Sequence, residues 1–192
     1  MTFIRNLLAL VGVAAIALAV TAYLRFGPQI AQLDPGALKV YSDFAATVAE
    51  SGDPAMAMMW SVPVNEGIKP EEVVESLKSL AASRSFLFVG DSPLFKQIEA
   101  VTGTPYRYVN FLSFCDARIA AQMLDYRDEY SGFMPCRIAI VQGANGKISL
   151  YSMNLDLMIH GGRPLPPDLY ASAEKVRDTI KAIMTGAAKG EF

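Results

Sequence analysis

Hydrophobic residues follow two different patterns along this chain. Residues 7–24 (LLALVGVAAIALAVTAYL) form one uncharged apolar run, whereas apolar and polar residues alternate through the rest of the sequence. A helix of eighteen residues rises 1.5 Å per residue and spans roughly 27 Å, close to the hydrocarbon thickness of a bilayer. The run therefore predicts a single transmembrane helix within residues 1–30, with Tyr23 and Phe26 at positions typical of interfacial aromatic residues.

A cleaved signal peptide is the main alternative interpretation of this run. It would share the basic Arg5 and would end at the small residues Val20-Thr21-Ala22. The run is longer than the roughly 7–15 apolar residues of a signal-peptide core, so we expect a retained single-pass anchor that contacts the lipid bilayer through residues 7–24. Arg5 and Arg25 lie on opposite sides of the run and give little charge bias for its orientation in the membrane. A short N-terminal segment before a long C-terminal part nevertheless favours export of that C-terminal part, which in a bacterium would lie in the periplasm.

A second helix is predicted after Gly27-Pro28, which we expect to break the first. Asp34-Pro35 has the form of an N-cap followed by a proline in the first turn. Apolar residues then recur at three- and four-residue spacing as far as Glu50, which predicts one buried face: Leu38, Tyr41, Ala45 and Val48. We interpret residues 31–54 as a linker or docking helix.

Residues 55–192 carry the strand and helix patterns of one domain. The Asn145-Gly146 pair lies between two segments rich in β-forming residues and favours the positive φ angles of a tight hairpin. The predicted elements are an extended segment at 55–64, a helix from Pro70, a strand at 86–89, a helix at 94–101, a strand at 106–114, a helix capped by Asp116, hairpin strands at 137–141 and 147–153, a helical turn at 154–159 and a helix at 168–184. This order predicts an α+β fold, with helices packed on a single antiparallel sheet.

Charge and motifs exclude several classes of function. The 17 basic and 19 acidic residues give a net charge of −2 without a basic stripe, so nucleic acid is not an expected partner. The sequence has neither a phosphate-cradling glycine loop nor a Gly-x-Ser-x-Gly nucleophile motif. The carboxylates of Glu71-Glu72 fall on the solvated face of a predicted helix. These absences favour a protein that is not an enzyme.

Cys115 and Cys136 are the only cysteines, and three interpretations of them stay open. A disulfide would close a loop of about twenty residues, would stabilise the fold by about 3 kcal/mol and would suit an exported domain. A redox couple would use a thiolate near a helix N-terminus, although the chain has no Cys-x-x-Cys spacing. The third interpretation is a pair of buried, unbonded thiols.

His160 is the only histidine, and it precedes Gly161-Gly162, which would let a flat ligand approach the backbone. One imidazole can ligate haem iron, and because the chain lacks Cys-x-x-Cys-His such a haem would be b-type. Candidates for the opposite ligand and for the pocket wall are Met134, Met153, Met158, Tyr106, Tyr108 and Phe111. The competing interpretation is that His160 only caps a helix end and the methionines fill the core.

Three segments between Val73 and Gly162, namely CDARIAAQMLD, FMPCRIAIV and NGKISLYSMNLDLMIHGG, resemble the domain-of-unknown-function family 302 (DUF 302). The resemblance covers roughly half of the chain and implies a compact α+β domain that often forms a homodimer. It does not imply a defined biochemical role. The predicted anchor and docking helix lie outside the region of resemblance.

Three functional hypotheses follow from these observations. The first is an exported, membrane-anchored binding domain that holds a b-type haem or another planar apolar ligand, with His160, Met158, Met153 and Tyr108 at the site. The second is an accessory subunit of a membrane respiratory, photosynthetic or other redox complex. The third is a thiol-redox protein that uses Cys115 and Cys136.

Overall fold

The computed structural model describes residues 2–192 and begins with a long helix, α1 (Thr2–Ile30), that is exposed along its length. α1 is long and apolar enough to cross a membrane, and signal sequences share these properties. The predicted break at Gly27-Pro28 is wrong, because the helix continues to Ile30 with Pro28 inside it. Proline has a helix-compatible φ and removes one hydrogen bond, and the Ala31 N–H still donates to the Gly27 carbonyl at 2.9 Å.

The second helix, α2 (Ala37–Ser51), buries a different face from the predicted one. Ala37 is buried and Phe44 is half-buried, whereas Leu38 and Tyr41 are 82% and 50% exposed. Both faces of α2 carry apolar residues, so periodicity alone does not choose between them. Asp34 is also not the N-cap, since the helix begins three residues later.

The predicted extended segment at 55–64 is helical in its first half. Asp53 caps the short helix α3 (Pro54–Met58), because its side chain accepts a hydrogen bond from the Ala55 N–H at 2.8 Å. The strand that follows, β1 (Met59–Pro63), covers the second half of the predicted segment.

The remaining elements form the α+β domain in the expected order. They are α4 (Pro70–Ala82), β2 (Leu87–Ser92), α5 (Leu94–Thr102), β3 (Val109–Cys115), α6 (Ala117–Tyr126), a 3₁₀ helix (Asp128–Phe133), β4 (Cys136–Gln142), β5 (Ile148–Met153), α7 (Asp156–His160) and α8 (Pro167–Ala188). The five strands make a single sheet in the order β1-β5-β4-β3-β2, and every neighbouring pair is antiparallel. The predicted fold class is therefore confirmed.

The main core lies between one face of the sheet and the helices α4 and α8. Alternate residues of β3, β4 and β5 point into this core, as the two-residue period of a strand requires. Fully buried members include Leu77, Leu112, Phe114, Ile138, Ile140, Leu150, Ile180 and Ile183. The β4–β5 hairpin turns with Gly146 at φ +78°, which confirms the positive φ predicted for the glycine of the Asn-Gly pair.

A second, smaller core lies beyond one end of the sheet. It is formed by α6, α7, the start of α8 and the loop before α8, and its buried members are Ile119, Met123, Leu155, Ile159, Leu165, Leu169 and Ala173. β3 ends next to this second core with Cys115, and β4 begins next to it with Cys136. In the register of the two strands, Cys136 pairs with Phe114, the residue before Cys115. The chain thus brings both cysteines to the border between the two cores.

Candidate functional site

Three adjoining cavities surround the 3₁₀ helix at the end of the sheet where β3 ends and β4 begins. Phe133, the last residue of the 3₁₀ helix, lines all three, and its side chain is partly exposed. We call the three cavities together the sulfur-rich pocket, for the side chains described below.

The innermost cavity lies between α6, α8 and the 3₁₀ helix and has a volume of about 40 Å³. Its walls are almost entirely apolar and include Phe86, Cys115, Ile119, Met123, Tyr130, Met134, Cys136, Leu155, Met158 and Val176. A cavity needs roughly 10–15 Å³ to hold one water molecule. This inner cavity therefore has room for a small group only.

An open groove of about 510 Å³ lies in front of the inner cavity. Tyr130, Phe133 and Met158 form the wall that the two share, and the other sides of the groove are lined by Met58, Arg127, Glu129, Met153, Asn154 and Leu157. Small-molecule sites usually occupy roughly 300–1,000 Å³ and combine apolar walls with a few polar groups. The groove therefore has the size and lining of a ligand site.

A third cavity, of about 600 Å³, opens on the sheet face that α4 and α8 leave uncovered. Its floor includes Met59, Phe111, Ala139, Tyr151 and Met153, and Arg137 adds one positive charge. Met153 belongs both to this cavity and to the open groove, so the two openings meet at the end of β5.

Sulfur atoms are concentrated in this region. The chain has nine methionines and two cysteines, and within residues 2–192 eight of these side chains line the three cavities. They are Met58, Met59, Cys115, Met123, Met134, Cys136, Met153 and Met158. Thioethers are both apolar and polarizable, so this lining suits apolar ligands and soft electrophiles alike.

Both cysteines are free thiols in this structure, and the predicted disulfide stays a prediction. Burial raises the pKa of the Cys136 thiol to about 11, with a smaller contribution from Cys115. Burial also raises the pKa of Cys115, and the charge of Asp116 adds to that effect. Reactive cysteines usually have a lowered pKa, whereas these two hold their protons at neutral pH.

His160 lies at the C-terminal end of α7 and faces the N-terminal helices. Its Nδ1 is 3.0 Å from Oδ1 of Asp34, and both side chains are largely buried. The Tyr170 ring packs edge-on against the imidazole, with 5.7 Å between the ring centroids. Hydrogen bonds from the Asp34 N–H to the Gly162 carbonyl (2.8 Å) and from the Tyr41 hydroxyl to the Gly161 carbonyl (2.7 Å) complete this contact.

Met158 and His160 point to different sides of α7. Two helical positions are separated by roughly 200° around the axis, and accordingly Met158 lines the groove while His160 contacts Asp34. The structure thus brings Met153, Met158, Cys115 and Cys136 together at one pocket, and it places His160 outside that pocket.

Tyr108 lies at the opposite end of the sheet. It precedes Val109, which pairs with Val141 beside the hairpin loop, whereas Met153 pairs with Met59 at the far end of β5. Six strand residues span about 17 Å, so Tyr108 does not share a wall with Met153 or Met158. Its ring stacks on Phe95 at 4.9 Å between centroids.

The family described as "Domain of unknown function DUF302" has a sequence model that matches residues 60–187. The chain belongs to the DUF302 family. Its fold is similar to the crystal structure of an uncharacterized conserved DUF302 protein from Bacillus stearothermophilus, with a TM-score of 0.54 and 17% sequence identity over 66% of this chain and 95% of that chain. At this identity the likeness concerns the fold alone. The comparison with curated proteins gave no match.

The DUF302 region contains most of the sulfur-rich pocket and His160, but it does not contain Asp34, the hydrogen-bond partner of His160. Residues 60–187 include every lining residue of the inner cavity, whereas Met58 and Met59 directly precede the match. Asp34 and α2 also lie before it. The Asp34–His160 contact therefore joins the DUF302 domain to the preceding part of the chain.

Sequence reasoning missed Asp34, Arg127, Tyr130 and Phe133 as residues of these sites. A sequence signal exists only for Asp34, since an Asp-Pro pair often marks a turn, although the same pair also has the form of a helix cap. The other three lie in or beside a short 3₁₀ helix with no periodicity that indicates burial. Their place at the pocket follows from packing.

Proposed function

We propose that this protein is an exported, membrane-anchored, non-catalytic binding domain whose sulfur-rich pocket holds an apolar planar ligand, with b-type haem as the specific candidate. The observation that carries the proposal is the open groove of about 510 Å³, whose wall of Tyr130, Phe133 and Met158 continues into an apolar inner cavity. Burial of apolar ligand surface there would be favourable by roughly 25 cal/mol per Å².

The rim of the groove suits a ligand with a carboxylate at one end. Arg127 lines the groove and forms no ion pair within residues 2–192. Its guanidinium packs over the Tyr126 ring, with 5.4 Å to the centroid. A planar apolar ligand with an acidic side group would place its apolar body against the methionines and its charge beside Arg127.

Protein ligands for haem iron lie at two different places. Met153 and Met158 offer thioethers inside the groove, and methionine is a known axial ligand of haem. His160 offers an imidazole whose Nδ1 is held by Asp34, an arrangement that leaves Nε2 as the coordinating atom. Because α7 separates the two side chains, a haem in the groove takes Met158 and a haem on His160 lies nearer α2.

The visible spectrum of the full-length protein tests the haem proposal. We expect protein purified in detergent, from cells supplied with a haem precursor, to show a Soret band. If the groove is the haem site, Met158→Leu should shift this band and His160→Gln should leave it unchanged. The reverse pattern assigns the haem to His160. A protein without a Soret band after addition of hemin excludes haem as the ligand.

A fluorescent apolar probe tests the wider proposal of an apolar ligand. We expect anilinonaphthalene sulfonate to bind the full-length protein in a detergent that does not itself enhance the fluorescence of the probe. Met158→Gln should weaken this binding, whereas Met56→Gln, a matched change at an exposed methionine outside the pocket, should not. Equal effects of the two substitutions would contradict a ligand site in the groove.

Membrane anchoring is supported by α1 and its apolar composition, and the proposal of export follows from the short head that precedes this long C-terminal part. We expect the intact protein to stay in the membrane fraction after alkaline extraction, and a form lacking residues 1–30 to be released. A periplasmic C-terminal domain predicts that alkaline phosphatase fused to the C-terminus is active. A soluble mature protein that begins after Ala22 would show instead that α1 is a signal sequence.

The accessory-subunit hypothesis is a second candidate, favoured by one surface. Leu38 on α2 is 82% exposed and lies eight residues after the end of α1. Co-purification of membrane subunits that is lost on Leu38→Ser would favour this role. The thiol-redox hypothesis has less support, since burial raises the pKa values of Cys115 and Cys136 and disfavours the thiolate nucleophile.

A further inference from the structure

We propose that the open groove of the sulfur-rich pocket binds a soft monovalent cation, Cu(I), through the thioethers of Met58, Met153 and Met158. These three methionines line the same groove although they come from three different elements. The inference goes beyond the apolar-ligand proposal and stands independently of it, because a soft cation needs the sulfur atoms rather than the aromatic walls.

The backbone holds the three methionines near one another. Met58 ends α3, and its carbonyl accepts a hydrogen bond from the Asn154 N–H at 2.8 Å. Met153 ends β5 and pairs in register with Met59. Met158 lies on α7, which begins only three residues after β5 ends. The Cα positions of all three are thus fixed by regular structure, while the long thioether side chains can adapt to a ligand.

The donor set selects the metal. Thioether and thiolate sulfurs prefer Cu(I) among biological cations, whereas carboxylates suit hard ions and imidazole suits zinc and Cu(II). Within residues 2–192 no group of three His, Cys, Asp or Glu side chains could hold a metal ion, so a hard-metal or zinc site is not built here. Methionine sulfur is the donor that the groove supplies in number.

Neighbouring groups make the groove compatible with a single positive charge. Glu129 lines it together with Arg127, so the rim offers one negative and one positive side chain. Met158 also lines the inner cavity, where Cys115 and Cys136 lie. A cation held by the three methionines would therefore have two thiols close behind it.

Competition with a chromogenic Cu(I) chelator tests the inference on the full-length protein in detergent. Under reducing and anaerobic conditions, we expect the protein to remove one equivalent of Cu(I) from the bicinchoninate complex. The triple variant Met58→Leu, Met153→Leu and Met158→Leu should bind at least about tenfold more weakly. Leucine is close to methionine in volume, so the packing is largely kept.

Two matched controls decide which sulfurs are responsible. Met56→Leu changes an exposed methionine outside the pocket and should leave the affinity unchanged. The double variant Cys115→Ser and Cys136→Ser should still bind one Cu(I). Loss of binding in the cysteine variant together with retention in the methionine variant would overturn the proposal, and so would a wild-type protein that takes no copper from bicinchoninate.

X-ray absorption at the copper edge gives a measurement that does not depend on the folding of a variant. We expect three sulfur neighbours for Cu(I) in the wild-type protein, and a first shell of nitrogen or oxygen would contradict the site. The pH dependence supplies a further test. Thioethers bind without releasing a proton, so the affinity should be the same at pH 6 and pH 8, whereas ligation by thiols would strengthen it as the pH rises.

Discussion

The Nδ1 atom of His160 lies 3.0 Å from Oδ1 of Asp34, a residue 126 positions earlier in the chain. Asp34 follows the end of α1 after only three residues, and its N–H donates to the Gly162 carbonyl. The DUF302 domain is therefore attached to α1 through a short, bonded connection rather than a flexible linker. If α1 crosses a membrane, this contact holds the domain close to the lipid surface.

Removal of the Asp34 carboxylate should weaken the attachment of α2. The carboxylate is largely buried and also accepts the Gly36 N–H at 2.7 Å, so Asp34→Ala leaves two partly buried donors unpaired. We expect a loss of about 1–3 kcal/mol in the free energy of unfolding by urea and faster proteolysis within residues 31–54. Asp43→Ala, which removes an exposed ion pair with Lys39, should change stability by less than about 0.5 kcal/mol. Equal effects would mean that the Asp34–His160 contact adds no stability.

The Asp34–His160 contact leaves little room for a side chain at position 36, which is a glycine. A Cβ atom at this position would lie 3.1 Å from Asp34 Oδ1 and 3.1 Å from two ring atoms of His160. We expect Gly36→Ala to destabilise the protein by about 1 kcal/mol through overpacking. Gly162→Ala, where a Cβ meets no atom within 4 Å, should be neutral in the same thermal unfolding measurement. A harmless Gly36→Ala substitution would show that the two side chains can separate freely.

Burial of the Cys136 thiol should make stability depend on pH in the alkaline range. The pKa of this thiol rises from an ordinary value of 9.0 to about 11 on folding, so the folded state keeps a proton that the unfolded state loses. The corresponding stabilisation is fully present below pH 9 and is lost as the pH rises toward 11. We expect the free energy of unfolding of the wild type, measured with urea, to fall between pH 9 and pH 11 by on the order of 2 kcal/mol more than that of Cys136→Ala. Parallel pH profiles for the two proteins would contradict the raised pKa.

Asp116 should be the more important of the two side-chain helix caps. Its Oδ1 accepts hydrogen bonds from the N–H groups of Arg118 (3.0 Å) and Ile119 (3.4 Å), and its side chain is buried at the edge of the inner cavity. We expect Asp116→Ala to cost about 1–2 kcal/mol. Asp53→Ala removes the exposed cap of the five-residue helix α3 and should cost less. The reverse order of the two effects in chemical denaturation would contradict this ranking.

Local sequence patterns predicted the helices, strands and turns better than the long-range contacts between them. The Asn145-Gly146 turn, the Asp116 cap and the long α8 helix lie where the sequence places them, because turn chemistry and periodicity act over a few residues. The break predicted at Gly27-Pro28 is wrong because one proline near the end of a helix removes a single hydrogen bond. The N-cap predicted at Asp34 is wrong because the helix begins at Ala37 with Gly36 as its N-cap, while the Asp34 carboxylate also contacts His160, 126 positions away.

The sequence by itself determined that an apolar N-terminal helix precedes an α+β domain with one antiparallel sheet, because run length, periodicity and strand order are properties of neighbouring residues. Only the tertiary structure decided which face of α2 is buried, that Met158 and His160 serve different sites, and that sulfur side chains from residues 58 to 158 line adjoining cavities. Those outcomes depend on how the sheet register and helix packing bring distant residues together. A linear pattern carries no information about that distance in space.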